Sequence, residues 1–257
     1  MNSELEYYMK QLNLSTVREH YEDMAIRADK EEIGYEAYLL ELFKKEYEAR
    51  HQKRTERWLR ESRLPLEKNL ESFNLKRLPK KVMHQAKVLL DGSFLDRKEN
   101  VLAFGMPGSG KTHLLCAIGR ELIHKGYRVY YCECSLLIEQ LLRDKKELNL
   151  DKRIKKLSRF DAVILDDIGY VQQDRGEMEV LFTLLAQRYE RGSVMITSNL
   201  AFSKWDVIFK DPMTTAAAID RLVHHSVILE LNVPSYRMEE AKKPKNNSSK
   251  EGDLYVD

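Results

Sequence analysis

The residues best suited to do chemistry form one short run, Gly105-Met106-Pro107-Gly108-Ser109-Gly110-Lys111-Thr112. The run matches the pattern G-x-x-x-x-G-K-[ST] at every fixed position. Glycines let the backbone curl so that successive N–H groups point at anionic oxygens, and the start of a following helix adds its positive dipole end. The run therefore predicts a loop that binds the phosphates of ATP. Lys111 would reach the β- and γ-phosphates, and the Thr112 hydroxyl would ligate Mg²⁺.

Two carboxylates end an apolar run further along the chain, Ala162-Val163-Ile164-Leu165-Asp166-Asp167. An enzyme with a phosphate loop needs an acid at a strand end to hold Mg²⁺, which suits Asp166. Asp167 is placed to orient or deprotonate the attacking water. The plainer interpretation is that one of them caps a turn before Gly169.

A third polar strand end follows the apolar run 194–196, where Asn199 completes a Thr-Ser-Asn triplet. At the carboxyl end of a parallel strand, Asn199 could face the γ-phosphate or the lytic water. Asn at such a place is also a common turn former, so the triplet alone is a weak signal.

Residues 100–240 alternate between short apolar runs and helical patterns, which predicts an α/β core with a five-stranded, doubly wound parallel sheet. The predicted strands are Val101–Gly105, Arg128–Cys134, Ala162–Asp166, Ser193–Ser198 and Ser226–Leu231. The predicted helices between and beside them are Lys111–His124, Ser135–Lys146, Lys152–Phe160, Glu177–Arg191 and Thr214–His224.

The remaining segments differ from this core in composition. Residues 1–63 contain one glycine and no proline, and their i, i+3, i+4 apolar spacing predicts a small all-helical domain with one pattern over 5–24 and another over 35–60. That domain is equally compatible with an ordinary subdomain and with a partner-binding or self-association module. Residues 64–99 are interpreted as a connector that contributes to the nucleotide pocket, and 241–257 as a disordered tail.

Composition excludes several classes of protein. The chain has 257 residues, one third of them charged, with a formal net charge of +2. We expect a water-soluble, cytoplasmic protein, because no apolar run approaches the ~18 residues of a membrane span and no secretory signal opens the chain. Three cysteines favour a reducing compartment over a disulfide framework, and Cys132 and Cys134 are interpreted as small buried residues in preference to metal ligands.

The phosphate loop, the Asp-Asp strand and the Thr-Ser-Asn strand, in that order, resemble the AAA+ ATPases, and among them the DnaA/DnaC/IstB branch. Residues 35–63, 66–75, 218–222 and 235–237 resemble IstB-like proteins, the ATP-binding helpers encoded by insertion sequences. The resemblance covers about residues 5–240. It implies an AAA+ core whose helical lid is absent or vestigial. It also implies an oligomer promoted by ATP and DNA, and a cognate transposase as partner.

The resemblance also assigns roles to two arginines. Arg221 occupies the place of the arginine finger, which one subunit inserts into its neighbour's site, although a local ion pair with Asp220 would be the simpler role. Arg237 resembles an arginine that contacts the γ-phosphate in cis. Many AAA+ enzymes carry Glu where Asp167 stands, and Asp is shorter than Glu by one methylene.

The branch carries a helical insertion that touches DNA between the second strand and the Asp-Asp strand. Here Ser135–Phe160 has eight basic and four acidic residues. The net charge of this segment is therefore twice that of the whole chain. Such cations would neutralise phosphates of double-stranded DNA without reading its bases, unless they merely form a solvated helical face. The candidate DNA-binding residues are Arg143, Lys145, Lys146, Lys152, Arg153, Lys155 and Lys156.

Two other functions compete with a transposition helper. A DnaC-like helicase loader would share the core and bind a replicative helicase through the helical domain. A small-molecule kinase with a phosphate loop would need an arginine-rich lid and an acceptor pocket, and the sequence shows neither.

Overall fold

The computed structural model describes residues 3–170, 175–201, 204–205, 212–236 and 238–239. The chain divides into two compact units, Met1–Glu61 and Ser62–Asp257. The division falls two residues before the end of the predicted helical domain at residue 63. Among the described residues, no helix is both long enough and apolar enough to cross a membrane.

The first unit consists of helices α1 (Ser3–Gln11), α2 (Ser15–Lys30) and α3 (Tyr35–Ser62). The single helical pattern predicted over 5–24 is therefore two helices. They are separated at Asn13, whose φ of 55° is left-handed and incompatible with a continuing helix. A small core holds the helices together, formed by Met9, Val17, Met24 and Leu42.

Glu46 of α3 caps the amino end of α2 within this unit. Its carboxylate accepts the backbone N–H groups of Thr16 at 2.8 Å and Val17 at 3.0 Å, and the guanidinium of Arg50 at 2.6 Å. Burial would raise the pKa of Glu46, but the hydrogen bonds from Arg50 and the two amides outweigh it and leave the pKa lowered. A buried charge thus satisfies helix N–H groups that would otherwise lack partners.

The second unit is built on five strands, which confirms the predicted α/β class. They are β1 (Asn100–Phe104), β2 (Val129–Glu133), β3 (Ala162–Asp166), β4 (Ser193–Ser198) and β5 (Ser226–Glu230). All neighbouring pairs are parallel, in the spatial order β2-β3-β4-β1-β5. β3 and β4 are buried along their whole length, as expected for parallel strands covered on both faces.

Seven helices accompany the sheet among the described residues. They are α4 (Lys80–Leu89), α5 (Ser93–Asp96), α6 (Lys111–His124), α7 (Cys134–Lys146), α8 (Leu150–Leu157), α9 (Arg175–Arg188) and α10 (Pro212–Val223). α6 packs on β1 to β4, and α7, α9 and α10 form a shared core with side chains of β1, β3 and β4. The short α5 was not predicted, because four residues are too few to show a helical period.

The strand order determines where the polar strand ends meet. β4 lies between β3 and β1, so the segments that follow these three strands leave the same edge of the sheet side by side. Those segments are the phosphate loop after β1, the Asp-Asp pair at the end of β3 and Asn199 after β4. We call this edge the nucleotide edge.

A buried guanidinium braces the opposite edge, where β3 and β4 begin. Arg188 is 2% exposed, and it donates to the carbonyls of Leu157, Phe160, Asp161 and Ser193 at 2.9–3.1 Å. Burial lowers its pKa to about 10. The fixed fork of the guanidinium satisfies carbonyls at the end of α8, in the loop before β3 and at the start of β4 at once.

Replacing this fork tests the brace. Arg188→Lys keeps the charge but offers a single nitrogen, so we expect a loss of about 3 kcal/mol in the free energy of unfolding, because buried carbonyls lose their donors. Urea titration measures the change. The control Arg191→Lys, on an exposed side chain three residues later, should change it by no more than about 0.5 kcal/mol. Equal effects of the two substitutions would contradict the bracing role.

Candidate functional site

The phosphate loop takes the backbone shape that its glycines were predicted to allow. Gly108 and Gly110 have φ values of 80° and 95°, a region in which side chains are strained. Gly110 immediately precedes α6, so the loop lies at the positive end of that helix dipole. The Ser109 hydroxyl is buried and has no hydrogen-bond partner among the described residues. An inward-facing polar atom of this kind fits a loop that receives an anion.

Lys111 connects the loop with the end of β4. Its ammonium nitrogen lies 2.8 Å from the carbonyl oxygen of Gly105, 3.0 Å from that of Met106 and 2.7 Å from Oδ1 of Asn199. The side chain is 6% exposed. A buried cation beside a loop of this shape is suited to attract a phosphate.

The carboxylate of Asp166 accepts hydrogen bonds from three hydroxyl groups. Its Oδ1 accepts from Thr112 at 2.7 Å and from Thr197 at 2.6 Å, and its Oδ2 accepts from Tyr131 at 3.0 Å. Burial, and next the negative charge of Asp166, raise the pKa of Tyr131, so that phenol remains a donor. A carboxylate and a hydroxyl in contact beside a phosphate loop are the two protein ligands that Mg²⁺ takes in such sites.

Asp167 is held in a left-handed conformation with φ of 62°. Its backbone N–H donates to the Thr197 hydroxyl at 2.7 Å, and its carboxylate accepts from the amide of Asn199 at 3.0 Å. Burial raises the pKa of Asp167, the adjacent charge of Asp166 adds to the rise, and Lys111 opposes it. A carboxylate with a raised pKa is a better proton acceptor than an ordinary one.

Two segments distant in sequence cover the loop. The ring of Phe73 in the connector lies so close to Gly110 that an added Cβ would meet it at 3.0 Å. On the other side, the N–H of Tyr236 donates to the carbonyl of Gly108 at 3.0 Å. Arg77 joins the two segments, because it pairs with Glu239 at 2.7 Å and lies over the ring of Tyr236. The contribution of the connector to a nucleotide pocket stays a prediction.

Arg221 lies far from the phosphate loop of its own chain. With Asn100, the first residue of β1, it lines a cavity of about 110 Å³ at the edge opposite the nucleotide edge. Its guanidinium carbon is 4.7 Å from the ring centroid of Phe182, and its Nη1 is buried without a hydrogen-bond partner among the described residues. Arg237, the predicted cis arginine, lies outside the described residues.

The seven candidate DNA-binding residues lie on α7 and α8, and they divide into two groups. Lys145 pairs with Glu179 at 2.7 Å, and Arg153 pairs with Asp144 at 2.6 Å. These two cations already have acidic partners within the chain. The other five have exposed side chains: Arg143, Lys146, Lys152, Lys155 and Lys156.

Two residues of the site were not singled out in the sequence. Thr197 and Tyr131 both donate to Asp166 across neighbouring strands. The sequence contains a signal for Thr197, because this residue is the first of the Thr-Ser-Asn triplet. Tyr131 had none, because nothing in an apolar strand shows which strand will pair with it.

The cysteines have no part in the site. Cys116 and Cys134 are buried and Cys132 is partly buried, and all three are free thiols. Burial raises the pKa of the Cys116 thiol to about 12, so it stays protonated. Among the described residues, no group of three or more His, Cys, Asp or Glu side chains could hold a metal ion.

The raised pKa of Asp167 predicts a stability cost at neutral pH. The ordinary pKa of an Asp side chain is 3.8, and at pH values above it the folded state binds the Asp167 proton more tightly than the unfolded state does. The contribution of Asp167 to stability therefore falls as the pH rises through the raised pKa. Asp167→Asn removes that cost and keeps both the Oδ1 acceptor and a residue that tolerates left-handed φ.

We therefore expect the unfolding midpoint of Asp167→Asn to exceed that of the wild type by an amount that grows between pH 4 and pH 7, measured by urea titration. Asp151→Asn, on an exposed carboxylate of α8, serves as the control and should show no such growth. A difference for Asp167→Asn that stays flat with pH would contradict the raised pKa.

Solved structures share the architecture of the second unit. DnaA of Aquifex aeolicus bound to AMPPCP aligns with a TM-score of 0.54 at 22% identity, over 65% of this chain and 51% of that one. The DnaC helicase loader aligns with a TM-score of 0.52 at 20% identity, over 64% of this chain and 97% of that one. At these identities the likeness concerns the fold, and it agrees with the predicted α/β core built on a parallel sheet.

Sequence comparison identifies the family. An insertion-sequence ATP-binding protein of Sinorhizobium fredii is 41% identical over 240 residues, which are 93% of this chain and 80% of the relative. The ATP-binding protein named for insertion sequence IS21 of Pseudomonas aeruginosa is 36% identical over 240 residues, 93% and 91% of the two chains. The sequence model of the IstB-like ATP binding protein family matches residues 8–244. This chain belongs to the IstB-like family of insertion-sequence ATP-binding proteins.

Proposed function

We propose that this chain is an ATP-hydrolysing helper of DNA transposition, which assembles on double-stranded target DNA and presents it to its transposase. One observation carries the enzymatic part of the proposal. The hydrogen bonds from Lys111 to Asn199 and from Asn199 to Asp167 join the phosphate loop to a carboxylate of raised pKa. Such a row of groups can bind a phosphate at one end and accept a proton from water at the other.

In this proposal, each residue of the nucleotide edge has a specific role in ATP hydrolysis. The loop amides and Lys111 bind the phosphates, and Thr112 and Asp166 would hold Mg²⁺. When bound, that ion neutralises charge on the phosphate oxygens. Asn199 positions the attacking water and Asp167 accepts its proton. Thr197 orients Asp166 and Asp167 together, because its hydroxyl donates to one and accepts from the backbone of the other.

The neighbouring copy of the chain would complete the site. Arg221 is at the edge opposite its own phosphate loop, where it has no access to its own nucleotide. Its position over Phe182 leaves a cation near the surface with one buried nitrogen still unpaired among the described residues. An arginine supplied in trans neutralises charge that develops on the γ-phosphate in the transition state.

Mixing two inactive variants tests the trans role. Arg221→Ala and Asp167→Asn should each lower the ATPase rate, the former by about 10³-fold. In a one-to-one mixture, Asp167→Asn subunits supply an intact arginine to intact Arg221→Ala sites, and random association restores up to about a quarter of the wild-type rate. The control mixes Arg221→Ala with the double variant, which should restore nothing. The trans role is wrong if the first mixture stays as inactive as its components.

The DNA surface is the exposed side of α7 and α8. Five exposed cations lie there, and two further cations are anchored by Glu179 and Asp144. Point charges on two short helices neutralise phosphates and carry no base-specific pattern. This surface therefore supports binding to duplex DNA of any sequence, as expected of a protein that handles varied targets.

Removing three of these charges tests the surface. Lys152, Lys155 and Lys156 changed together to Gln should weaken duplex binding and reduce the slope of log K against log salt by about 3, because each lysine displaced a counterion. Fluorescence anisotropy at several salt concentrations measures both quantities. The control changes three exposed lysines of α4, which should leave the slope as it was: Lys80, Lys81 and Lys87. An unchanged slope in the α8 variant would reject this surface.

The relatives favour transposition over helicase loading. Those described above at 36–41% identity are named for insertion sequences, whereas the likeness to the DnaC loader is limited to the fold. We therefore propose a transposase as the protein partner. The helical first unit is the candidate for contacts with that partner or with other copies of the chain.

A further inference from the structure

The turn between α7 and α8 presents one apolar side chain to solvent. The turn consists of Glu147, Leu148 and Asn149, and the Leu148 side chain is 92% exposed. Isolated exposed leucines are ordinary on protein surfaces. This one differs from the others in its backbone conformation and in its neighbours.

Leu148 occupies a position that favours glycine. The N–H of Asn149 donates to the carbonyl of Asp144 at 2.7 Å and that of Leu148 to Lys145 at 3.2 Å, the two hydrogen bonds of a Schellman helix end. In that motif the residue at the place of Leu148 is left-handed, and its φ is 57°. Leucine gains nothing there from burial and is strained by its Cβ. The fold itself gives no reason for leucine at this place.

The two helices that flank the turn are fixed by core packing and by ion pairs. Leu141, Ile154 and Leu157 anchor the two helices in the core. The ion pair between Arg153 and Asp144 ties α8 to the last turns of α7, and that between Lys145 and Glu179 ties α7 to α9. The Leu148 side chain is thus presented from a rigid base, and little ordering is needed when it meets a partner.

The neighbours of Leu148 indicate the chemistry of that partner. Residues 143–156 contain seven basic and three acidic residues, and the exposed Lys146 and Lys152 flank the turn. Protein interfaces are depleted of lysine at their centre, whereas an apolar tip with a lysine on each side matches a groove bordered by phosphates.

We propose that Leu148 enters a groove of duplex DNA and contacts the bases there, partly unstacking the step that it meets. The inference rests on the DNA binding proposed above and adds a DNA-deforming role. Apolar wedges of this kind open base steps without reading sequence. The surrounding lysines bring the phosphates of both groove walls towards the turn.

The test compares Leu148→Gly with the wild-type protein in full length. Glycine suits the left-handed position, so the variant should be at least as stable as the wild type on heating. We expect duplex binding about tenfold weaker at fixed salt, because apolar contact is lost, with an unchanged salt slope, because no charge is removed. A 2-aminopurine duplex should brighten with the wild type and much less with the variant.

Two further variants make the readout specific. Leu148→Met keeps an apolar side chain and should retain most of the binding and the fluorescence increase. Val88→Ala shortens an apolar side chain of α4 that is 48% exposed and lies outside the DNA surface, and it should behave as the wild type.

Each outcome decides between distinct conclusions. If Leu148→Gly binds and unstacks DNA like the wild type while the α8 lysine variant binds weakly, the wedge is wrong and the DNA surface stands. If Leu148→Gly binds DNA normally but fails to retain the transposase on it, the side chain contacts protein, which also overturns the proposal. If the wild-type protein binds no duplex, both the wedge and the proposed DNA binding are wrong.

Discussion

The carboxylate of Asp166 accepts hydrogen bonds from three hydroxyl groups that stand on three separate elements, α6, β4 and β2. The hydroxyls of Tyr131 and Thr197 reach it only if β3 lies between β2 and β4 in the register that the sheet adopts. The hydroxyl of Thr197 also receives the backbone N–H of Asp167 and thereby fixes the second carboxylate. A shift of one residue in either strand pairing would separate these groups, so the sheet register and the nucleotide edge depend on each other.

The nucleotide edge and the opposite edge of the sheet have different roles in the proposed mechanism. Lys111, Asp166, Asp167 and Asn199 gather where the strands end, and Arg221 lies where β1 and β5 begin. In that proposal, the phosphate site and the arginine of a single copy belong to two different reaction centres. The topology supports the proposed role of a neighbour, because no side chain spans the length of a five-residue strand.

Sequence predicted the parts of the structure that are local. The phosphate loop is a contiguous motif, and the strands are uninterrupted apolar runs, so their ends were placed within about a residue. Contacts between distant residues escaped prediction. Nothing local shows that Tyr131 faces Asp166, or that Lys145 and Arg153 are occupied by Glu179 and Asp144. The break at Asn13 was missed for a related reason, since apolar spacing continues through it.

The contact between the phosphate loop and the segment after β5 has an evolutionary consequence. Gly108 is not a fixed position of the phosphate-loop pattern. In this chain it is nonetheless confined to glycine, because its φ is 80° and an added Cβ would collide with the Ser235 side chain. Positions 108 and 235 therefore cannot drift independently. A homologue with a larger residue at 108 must have moved its terminal segment away from the loop, so covariation of this pair across relatives would record which members keep the loop covered.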